Sequence, residues 1–374
     1  MSSWQTFFTH PMRPFFVITA CFAIISSISF WISPTAIILH RQIFLEFMLP
    51  AAYGGFLMAA LLEWTHFSGS LKGIANILGI LLLLGFITLF IAPTISSYII
   101  AAYWFVLLLF TTWLIWLDRN TNNFALLLLL SCFTLVQTRY AMTGDLSWLK
   151  TQVHLNMAAV MLVSFRVSIL LGNEALKRST LKDPIFIPNA VYKNIAILLI
   201  LMYAIAERYL PQQTVGFMAL AVGLILLAKL RELHHHELLR IHYVRTYYFL
   251  QLFASIAYLW LGYTHLFQTL SSTPLHLITI AGIFGGVLMV WLTAGLWHSG
   301  FIRLDYPILC RIALPLLFLT ALTRTVLMPL APEWLQTNIP SLLLIMVFVL
   351  YLLTFIPIFK QNPFTDDPEG SGGC

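Results

Sequence analysis

The chain alternates between long apolar runs and short polar connections, and this alternation predicts its fold. A helix needs roughly 20 apolar residues to cross the hydrocarbon core of a bilayer, which is about 30 Å thick. Twelve runs meet this requirement, at 14–33, 43–62, 73–92, 98–117, 124–142, 151–171, 190–210, 214–230, 243–265, 274–297, 306–328 and 339–359. The pattern therefore predicts an all-α membrane protein, a polytopic bundle of about 12 transmembrane helices.

The connections between the runs leave no room for a separate soluble domain. They carry the Pro, Asn, Gly and charged residues that are typical of turns. Residues 1–360 are therefore predicted to form a single polytopic transmembrane domain. A short flexible C-terminal tail is predicted at 361–374, which ends in the letters PEGSGGC.

Composition agrees with a lipid environment. Hydrophobic residues make up 60% of the chain and charged residues only 9%, whereas a soluble domain is typically about a quarter charged. The lipid bilayer is therefore the expected partner over most of the chain. The net charge of +6 is small and scattered, so no nucleic-acid partner is expected.

The positive charges predict an orientation for the bundle. Lys and Arg concentrate at alternate connections, as at Arg13, Lys72 and Arg119, while the connections near 93–97, 211–213, 266–273 and 330–338 have none. Because cytoplasmic loops are enriched in Lys and Arg, both termini are predicted to be cytoplasmic. Arg41 and Lys150 are exceptions on the outer side.

The histidines separate into two groups under this topology. One group lies near the outer face and contains His40, His154, His265 and His276. The other lies near the cytoplasmic face and contains His10, His66, His298, the run at 234–236 and His242. Two of them mark the ends of one predicted helix, because His276 and His298 are 22 residues apart, or about 33 Å. They therefore cannot bind the same metal ion.

Imidazole is a good ligand for haem iron and for copper. Each histidine also has a plainer interpretation, because it can hydrogen-bond to lipid headgroups or to a loop carbonyl. The histidine run at 234–236 resembles a metal motif, but a solvated helix end is the preferred interpretation, since no second cluster completes a coordination sphere.

Other ionisable residues fall inside apolar runs or near their ends. Arg139, Arg166 and Arg324 can extend their charge to the interface or pair with an anion such as a haem propionate. Glu46 and the adjacent pair Glu207 and Arg208 are candidates for proton handling or for simple ion pairing. These residues alone leave the chemistry open.

Four segments together resemble the NnrS family of polytopic bacterial inner-membrane proteins. The segment HPMRPFF at 10–16 is similar to the family's His-Pro-x-Phe-Arg-Pro-Phe-Phe opening, and 39–65 is similar to its Trp-His-Ala-His-Glu-Met helix. The segment SFRVSILLGNEAL at 164–176 resembles its Gly-Gly-Arg-Val-Ile-Pro stretch. The segment HLITIAGIFGGVLMVWLTAGLWHSG at 276–300 resembles the helix that begins His-Ala-Leu-Thr-Val-Gly and closes Leu-Gly-His-Thr-Gly.

The resemblance carries over a set of residues, and it also has departures. The matching positions are His10, Arg13, His40, Trp64, Arg166, His276 and His298. Where the family has a second histidine and an acidic residue, this chain has Gln42 and Ile43. Trp291 and Thr293 replace a methionine and an arginine, and Gln251 stands where many members have histidine. One metal site altered or lost would give this pattern.

The resemblance implies a haem protein in the bacterial inner membrane, with haem of the b type expected and copper as a further expected metal. Such a protein is linked to nitric oxide metabolism or nitrosative-stress tolerance, with a small gaseous ligand such as nitric oxide, and no defined reaction is implied. On this hypothesis His40 and His276 supply axial ligands at the outer face, and His298 with His10 at the inner face. Arg13 and Arg166 would contact propionates or other anions near the inner site.

Two other classes of function remain open from the sequence. A multi-pass transporter or exporter would use intramembrane His and Glu residues for proton coupling. An assembly factor or sensor would pass a metal to a respiratory enzyme.

Overall fold

The computed structural model is built from helices. It describes residues 3–32, 36–65, 67–119, 123–180, 185–269, 272–327 and 332–365, and none of these forms a strand. Eleven helices in this part of the chain are long and apolar enough to cross a membrane. The prediction of a polytopic all-helical membrane protein is therefore confirmed.

Twelve long helices follow the order of the predicted spans. They are α1 Met12–Ile32, α2 Ile37–Thr65, α3 Lys72–Leu89, α4 Pro93–Asp118, α5 Phe124–Thr143, α6 Ser147–Arg178, α7 Ala190–Tyr209, α8 Gln212–Glu232, α9 His242–Leu266, α10 Thr273–Trp297, α11 Ile308–Thr325 and α12 Trp334–Gln361. Short helices at Ser3–Phe7 and His236–Leu239 precede α1 and α9. Residues 366–374 of the predicted tail lie outside the described residues, as does His66.

Helix α9 is the one long helix that is not among the eleven apolar spans of the described residues. It is 25 residues long and coincides with the predicted run at 243–265. It contains five tyrosines and Gln251, which lower its hydropathy. Several of these polar side chains, including Tyr243, Gln251 and Tyr258, are buried, so they face protein and not lipid.

The helix boundaries follow local chemistry. Pro93 lies in the first turn of α4, where its missing N–H costs no hydrogen bond. The side chain of Asn189 accepts a hydrogen bond from the Val191 amide and caps α7. Gly144 ends α5 with a φ of 65°, a left-handed conformation that favours glycine.

The helices cluster into two compact units. Unit 1 comprises residues 1–152, 295–302 and 344–374. Its most buried span is α2, against which α1 and α4 pack. Aromatic side chains fill the space beside α2, and Trp104 stacks on Phe133 with 4.5 Å between ring centroids and an interplanar angle of 7°. Dispersion and burial of such large rings are main sources of stability.

Unit 2 comprises residues 153–294 and 303–343, and its most buried span is α10. Helix α8 packs against α7 and α9 through small residues. A Cβ at Gly223 would lie 2.6 Å from the side chain of Leu259, and the Ser255 hydroxyl donates to the Gly223 carbonyl at 2.7 Å. Small residues let membrane helices approach this closely.

Helix α3 shows the opposite character, with large apolar side chains on its outer surface. Exposed residues on it include Ile77, Ile80, Leu83, Leu84 and Ile87. A stripe of this size on a soluble protein would mark an interface. In a multi-pass membrane protein it is the face that contacts lipid.

Two glycines give a matched test of packing around α2. A Cβ on Gly54 would overlap the Tyr103 hydroxyl, which donates to the Pro50 carbonyl at 2.8 Å, whereas one on Gly79 meets nothing within 4 Å. We expect Gly54→Ala to destabilise the protein by about 1–3 kcal/mol. Gly79→Ala should instead stabilise it by up to about 1 kcal/mol, because alanine favours helix. Thermal unfolding in detergent measures both, and equal melting temperatures for the two variants would contradict the packing described.

Candidate functional site

Three residues predicted at the inner face come together in unit 1. The ring of Phe364, at the start of the predicted tail, stacks on His10 with 3.7 Å between ring centroids. It also stacks on His298 with 4.9 Å between centroids, and the interplanar angles are 8° and 7°. The guanidinium of Arg13 lies 6.0 Å from the same phenyl ring. We call His10, Arg13, His298 and Phe364 the inner cluster.

Arg13 holds the inner cluster together. Its Nη1 donates to the carbonyls of Thr6 and Phe359, both at 2.9 Å, and its Nη2 donates to the His298 carbonyl at 3.5 Å. The side chain is fully buried, and no carboxylate pairs with it among the described residues. Its Nε has no acceptor in this part of the structure. A buried cation with a spare donor favours contact with an anionic group.

His10 has a tautomer set by its own backbone. Its Nδ1 accepts a hydrogen bond from the Met12 amide at 3.2 Å, so the proton of the neutral ring lies on Nε2. Burial lowers the pKa of His10 to about 3, and the charges of His298 and Arg13 add to this effect. The neutral ring therefore presents a buried Nε2–H, which has no acceptor among the described residues. This arrangement suits a hydrogen-bond donor to a bound group better than it suits a metal ligand.

His298 has the opposite tautomer. Its Nδ1 lies 3.0 Å from the Thr365 carbonyl, and since a carbonyl only accepts, the proton lies on Nδ1. The Thr365 amide donates back to the His298 carbonyl at 3.1 Å. The Nε2 of His298 lies 3.8 Å from Glu63 Oε1. The segment after α12 thus fixes the orientation of this imidazole.

Removing the Phe364 ring should expose both imidazoles of the inner cluster. We expect Phe364→Ala to increase labelling of His10 and His298 by diethyl pyrocarbonate, measured by mass spectrometry of the purified protein. Phe8→Ala serves as the control, because Phe8 is 61% exposed and does not contact either histidine ring. Equal labelling in the two variants would show that Phe364 does not cover the histidines.

His40 lies in unit 1, in the turn of helix that begins α2. Its Nδ1 lies 3.2 Å from the Ser26 carbonyl, while the Ser26 hydroxyl donates to the His40 carbonyl at 2.9 Å. The ring packs between Phe30 and Phe44, with centroid distances of 4.2 and 4.7 Å. Its orientation is therefore fixed from two sides, and Nε2 is its acceptor nitrogen.

His276 lies in unit 2, in the first turn of α10. Its Nδ1 donates to the Ser272 carbonyl at 2.9 Å, and its Nε2 lies 3.3 Å from a guanidinium nitrogen of Arg324 on α11. Arg324 also donates to the Gln336 carbonyl at 3.4 Å. Because Arg324 can only donate, Nε2 carries the lone pair of the imidazole.

Arg166 belongs to unit 2, whereas the inner cluster belongs to unit 1. It is half-buried on α6, close enough to Lys193 of α7 for the two charges to repel. The Lys193 ammonium lies 4.4 Å from the ring of the neighbouring Phe165.

Three of the four predicted histidines share one arrangement. In His40, His276 and His298 the Nδ1–H meets a backbone carbonyl, so that Nε2 carries the lone pair. In His276 this lone pair faces the guanidinium of Arg324. A carbonyl on Nδ1–H is the usual outer-shell contact of a metal-bound histidine. No group of three or more His, Cys, Asp or Glu side chains among the described residues has metal-binding geometry.

The histidine run has a role in the loop before α9. His234 contacts the Tyr248 hydroxyl at 2.8 Å, and His235 accepts from the Glu237 amide at 3.3 Å. The side chain of His236 is 76% exposed. The structure therefore favours a solvated helix end over a metal motif for this run.

The helices α2 and α10 share local features beyond their histidines. Each has a π-helical segment soon after its histidine, at Ile43–Met48 and Ile278–Phe284. Each then continues with two glycines and a Leu-Met pair, at 54–58 and 285–289. Such π-helical segments are frequent at functional sites. Sequence reading missed this parallel because the histidine-to-glycine spacings differ, at 14 and 9 residues.

A second buried polar group surrounds Glu46 in the π-helical segment of α2. Gln137 donates to Glu46 Oε1, and Gln152 donates to the Gln137 side-chain carbonyl. Glu46 is fully buried, and its Oε2 has no hydrogen-bond partner among the described residues. The sequence analysis named Glu46 but missed Gln137 and Gln152. A polar amide inside an apolar run could have indicated both residues.

A comparison with protein families agrees with the motif resemblance. A family model described as NnrS protein matches residues 6–362, which is nearly the whole chain. No curated protein and no solved structure matches it significantly.

Proposed function

Because the chain belongs to the NnrS family, we propose that it is a haem-binding protein of the bacterial inner membrane that acts in nitric oxide metabolism or nitrosative-stress tolerance. The observation that carries the proposal is the shared arrangement of His40, His276 and His298. Each has its Nδ1 on a backbone carbonyl, which sets Nε2 as the nitrogen that would ligate the iron.

Histidines that form no cluster suit a haem better than a metal ion held by protein side chains alone. The porphyrin brings four nitrogen ligands of its own, so that one or two imidazoles complete the coordination of the iron. A structural or catalytic ion held by side chains needs three or four of them, and the described residues contain no such group. The proposal therefore assigns these histidines to haem first, and copper remains an expectation from the family resemblance.

The inner cluster has groups that suit the acidic edge of a haem. The buried guanidinium of Arg13 carries an unpaired Nε–H, and His10 presents an unpaired Nε2–H among the described residues. Both would donate to a propionate, which the surrounding apolar rings would shield from water. In unit 2, Arg166 is assigned to an anionic group on the family resemblance alone.

When bound, the haem would supply an iron that binds a small gaseous ligand such as nitric oxide. The protein's own part is to orient the ligating imidazoles and to exclude water. Aromatic contacts perform both tasks at His40, which packs between Phe30 and Phe44.

The decisive experiment is an optical spectrum of protein purified in detergent after expression with adequate haem supply. Spectra are recorded oxidised and then reduced, before and after addition of nitric oxide, with iron and copper counted on the same sample. We expect a Soret band that shifts with nitric oxide. A colourless protein without bound iron would overturn the proposal.

Glu46 favours a second candidate function, a transporter or exporter coupled to protons. An acidic residue that is wholly buried in a membrane span, without a Lys or Arg partner among the described residues, is characteristic of proton-coupled carriers. The amides of the Glu46 group would then hold the carboxyl group in both protonation states. A colourless protein that moves a solute into vesicles along a pH gradient would favour this candidate.

A further inference from the structure

Unit 2 contains a continuous network of titratable side chains from three helices. His154 comes from α6, Tyr203 and Glu207 come from α7, and Tyr258 and His265 come from α9. All five lie in the halves of these helices that the charge pattern places toward the outer face. None of them belongs to the inner cluster or contacts the imidazoles of His40 and His276 in any described pairing.

The hydrogen bonds between these side chains have a direction. The Tyr203 hydroxyl donates to Glu207 Oε1 at 2.8 Å. The same hydroxyl lies 3.0 Å from His265 Nε2, so His265 donates to the Tyr203 oxygen. On the other side of the carboxylate, Oε2 lies 3.3 Å from His154 Nε2, which is an ion-pair distance without hydrogen-bond geometry. His154 Nδ1 contacts the Tyr258 hydroxyl at 2.9 Å.

The two ends of the network differ in burial. The side chain of His265 is 15% exposed and that of Glu207 is 9% exposed. Tyr203, His154 and Tyr258 are fully buried. The network therefore begins at a partly exposed group in the last turn of α9 and ends at fully buried groups.

We propose that His265, Tyr203, Glu207, His154 and Tyr258 form a proton relay that carries protons between the outer surface and the interior of unit 2. Chains of His and acidic side chains serve this purpose in membrane pumps and transporters. The proposal goes beyond haem binding and does not depend on it.

The transfer balances at each step. A proton on His265 Nε2 passes to the Tyr203 oxygen while Tyr203 passes its own hydroxyl proton to Glu207 Oε1. Imidazolium and carboxylate thereby become neutral imidazole and carboxylic acid. Rotation of the protonated carboxyl group then lets Glu207 pass the proton to the lone pair of His154 Nε2. The Glu207 carboxylate is regenerated and His154 becomes an imidazolium, whose Nδ1–H donates to the Tyr258 oxygen and so stabilises the charged ring.

The neighbouring elements contribute few other charges. Helix α8, which packs against α7 and α9, has no titratable residue from Gln212 until Lys229 near its other end. Helix α10, which packs against α9, contributes His276, and α7 itself adds Arg208 beside Glu207. A purely structural network would tie α6, α7 and α9 together through the same contacts, so the test must follow the proton itself.

Infrared spectroscopy of the purified protein follows the proton on Glu207. The carbonyl band of protonated carboxyl groups is recorded over a pH series and after transfer into deuterated buffer, and the part lost in Glu207→Gln belongs to Glu207. We expect this band to grow as pH falls and to shift promptly in deuterated buffer. Absence of a Glu207-dependent band at every pH would overturn the proposal.

Two variants interrupt the relay at its entrance. His265→Gln keeps a polar side chain, but an amide cannot accept and release a proton as an imidazole does. Tyr203→Phe removes only one oxygen atom, so this variant is expected to fold. We expect both to lose the prompt isotope shift of the Glu207 band. His236→Gln changes an exposed histidine outside the network, and this variant should keep the prompt isotope shift. A prompt shift in folded Tyr203→Phe and His265→Gln would refute the relay.

Discussion

Replacing His276 with alanine should lower the haem content of the purified protein. On the proposed function, this imidazole supplies an axial ligand at the start of α10, and its Nδ1–H contact with Ser272 fixes the ring for that purpose. Loss of an axial ligand removes both a bond to iron and the orientation that the protein gives to the haem. The haem-to-protein ratio, measured by the pyridine haemochrome assay, gives the result.

The matched control is His236→Ala, which removes an exposed imidazole from the loop before α9. It should keep the wild-type haem content. His276→Ala also frees Arg324 from its contact with Nε2, so a second variant, Arg324→Gln, separates the two effects. If His276→Ala retained full haem while remaining folded, the assignment of this ligand would be wrong.

The hydrophobic pattern predicted the helices well because membrane spans follow directly from hydropathy. Their ends were less predictable. Helix α2 begins at Ile37 although its apolar run begins at 43, because His40, Arg41 and Gln42 continue the helix in polar sequence. Helix α6 extends past both ends of the run at 151–171 for the same reason. Hydropathy detects the part of a helix that suits hydrocarbon, and a helix can extend beyond it.

The inner cluster was only partly predictable. His10, Arg13 and His298 were expected at one face on the basis of topology and family motifs, and the structure brings them together in unit 1. The contact of Phe364 with the two histidines could not be predicted, because nothing in the sequence distinguishes this aromatic residue from other residues of a connection. Its role depends on where the chain turns after α12, which no periodicity encodes.

The proton network was predictable as a set of residues but not as a network. His154 and His265 were placed near the outer face, and Glu207 was a candidate for proton handling. That Tyr203 joins His265 to Glu207 follows from the rotation of α7 against α9. Hydropathy leaves this rotation undefined, because helix packing in lipid is determined by side-chain shape and polar contacts.

Arg13→Ala should cause the largest loss of stability among the polar variants. The change removes one donor from each of the carbonyls of Thr6, Phe359 and His298. The Thr6 carbonyl keeps Thr9 as a donor, and the His298 carbonyl keeps the Thr365 amide. The Phe359 carbonyl loses its side-chain donor in a buried place, which costs about 1–3 kcal/mol, and we expect a loss of that size. Thermal unfolding in detergent, followed by tryptophan fluorescence, should show a clearly lower melting temperature. Arg41→Ala, at an exposed position, should melt as the wild type does.

Arg13→Lys separates the two roles of this side chain. An ammonium keeps the charge and reaches one or two of the carbonyls, but it lacks the planar fork of guanidinium. If Arg13 mainly joins the chain segments, the lysine variant should regain part of the lost melting temperature and, with it, part of the haem. If its Nε–H also binds a propionate, the lysine variant should melt near the wild-type temperature and still carry less haem. Wild-type melting and full haem in Arg13→Ala would contradict both roles.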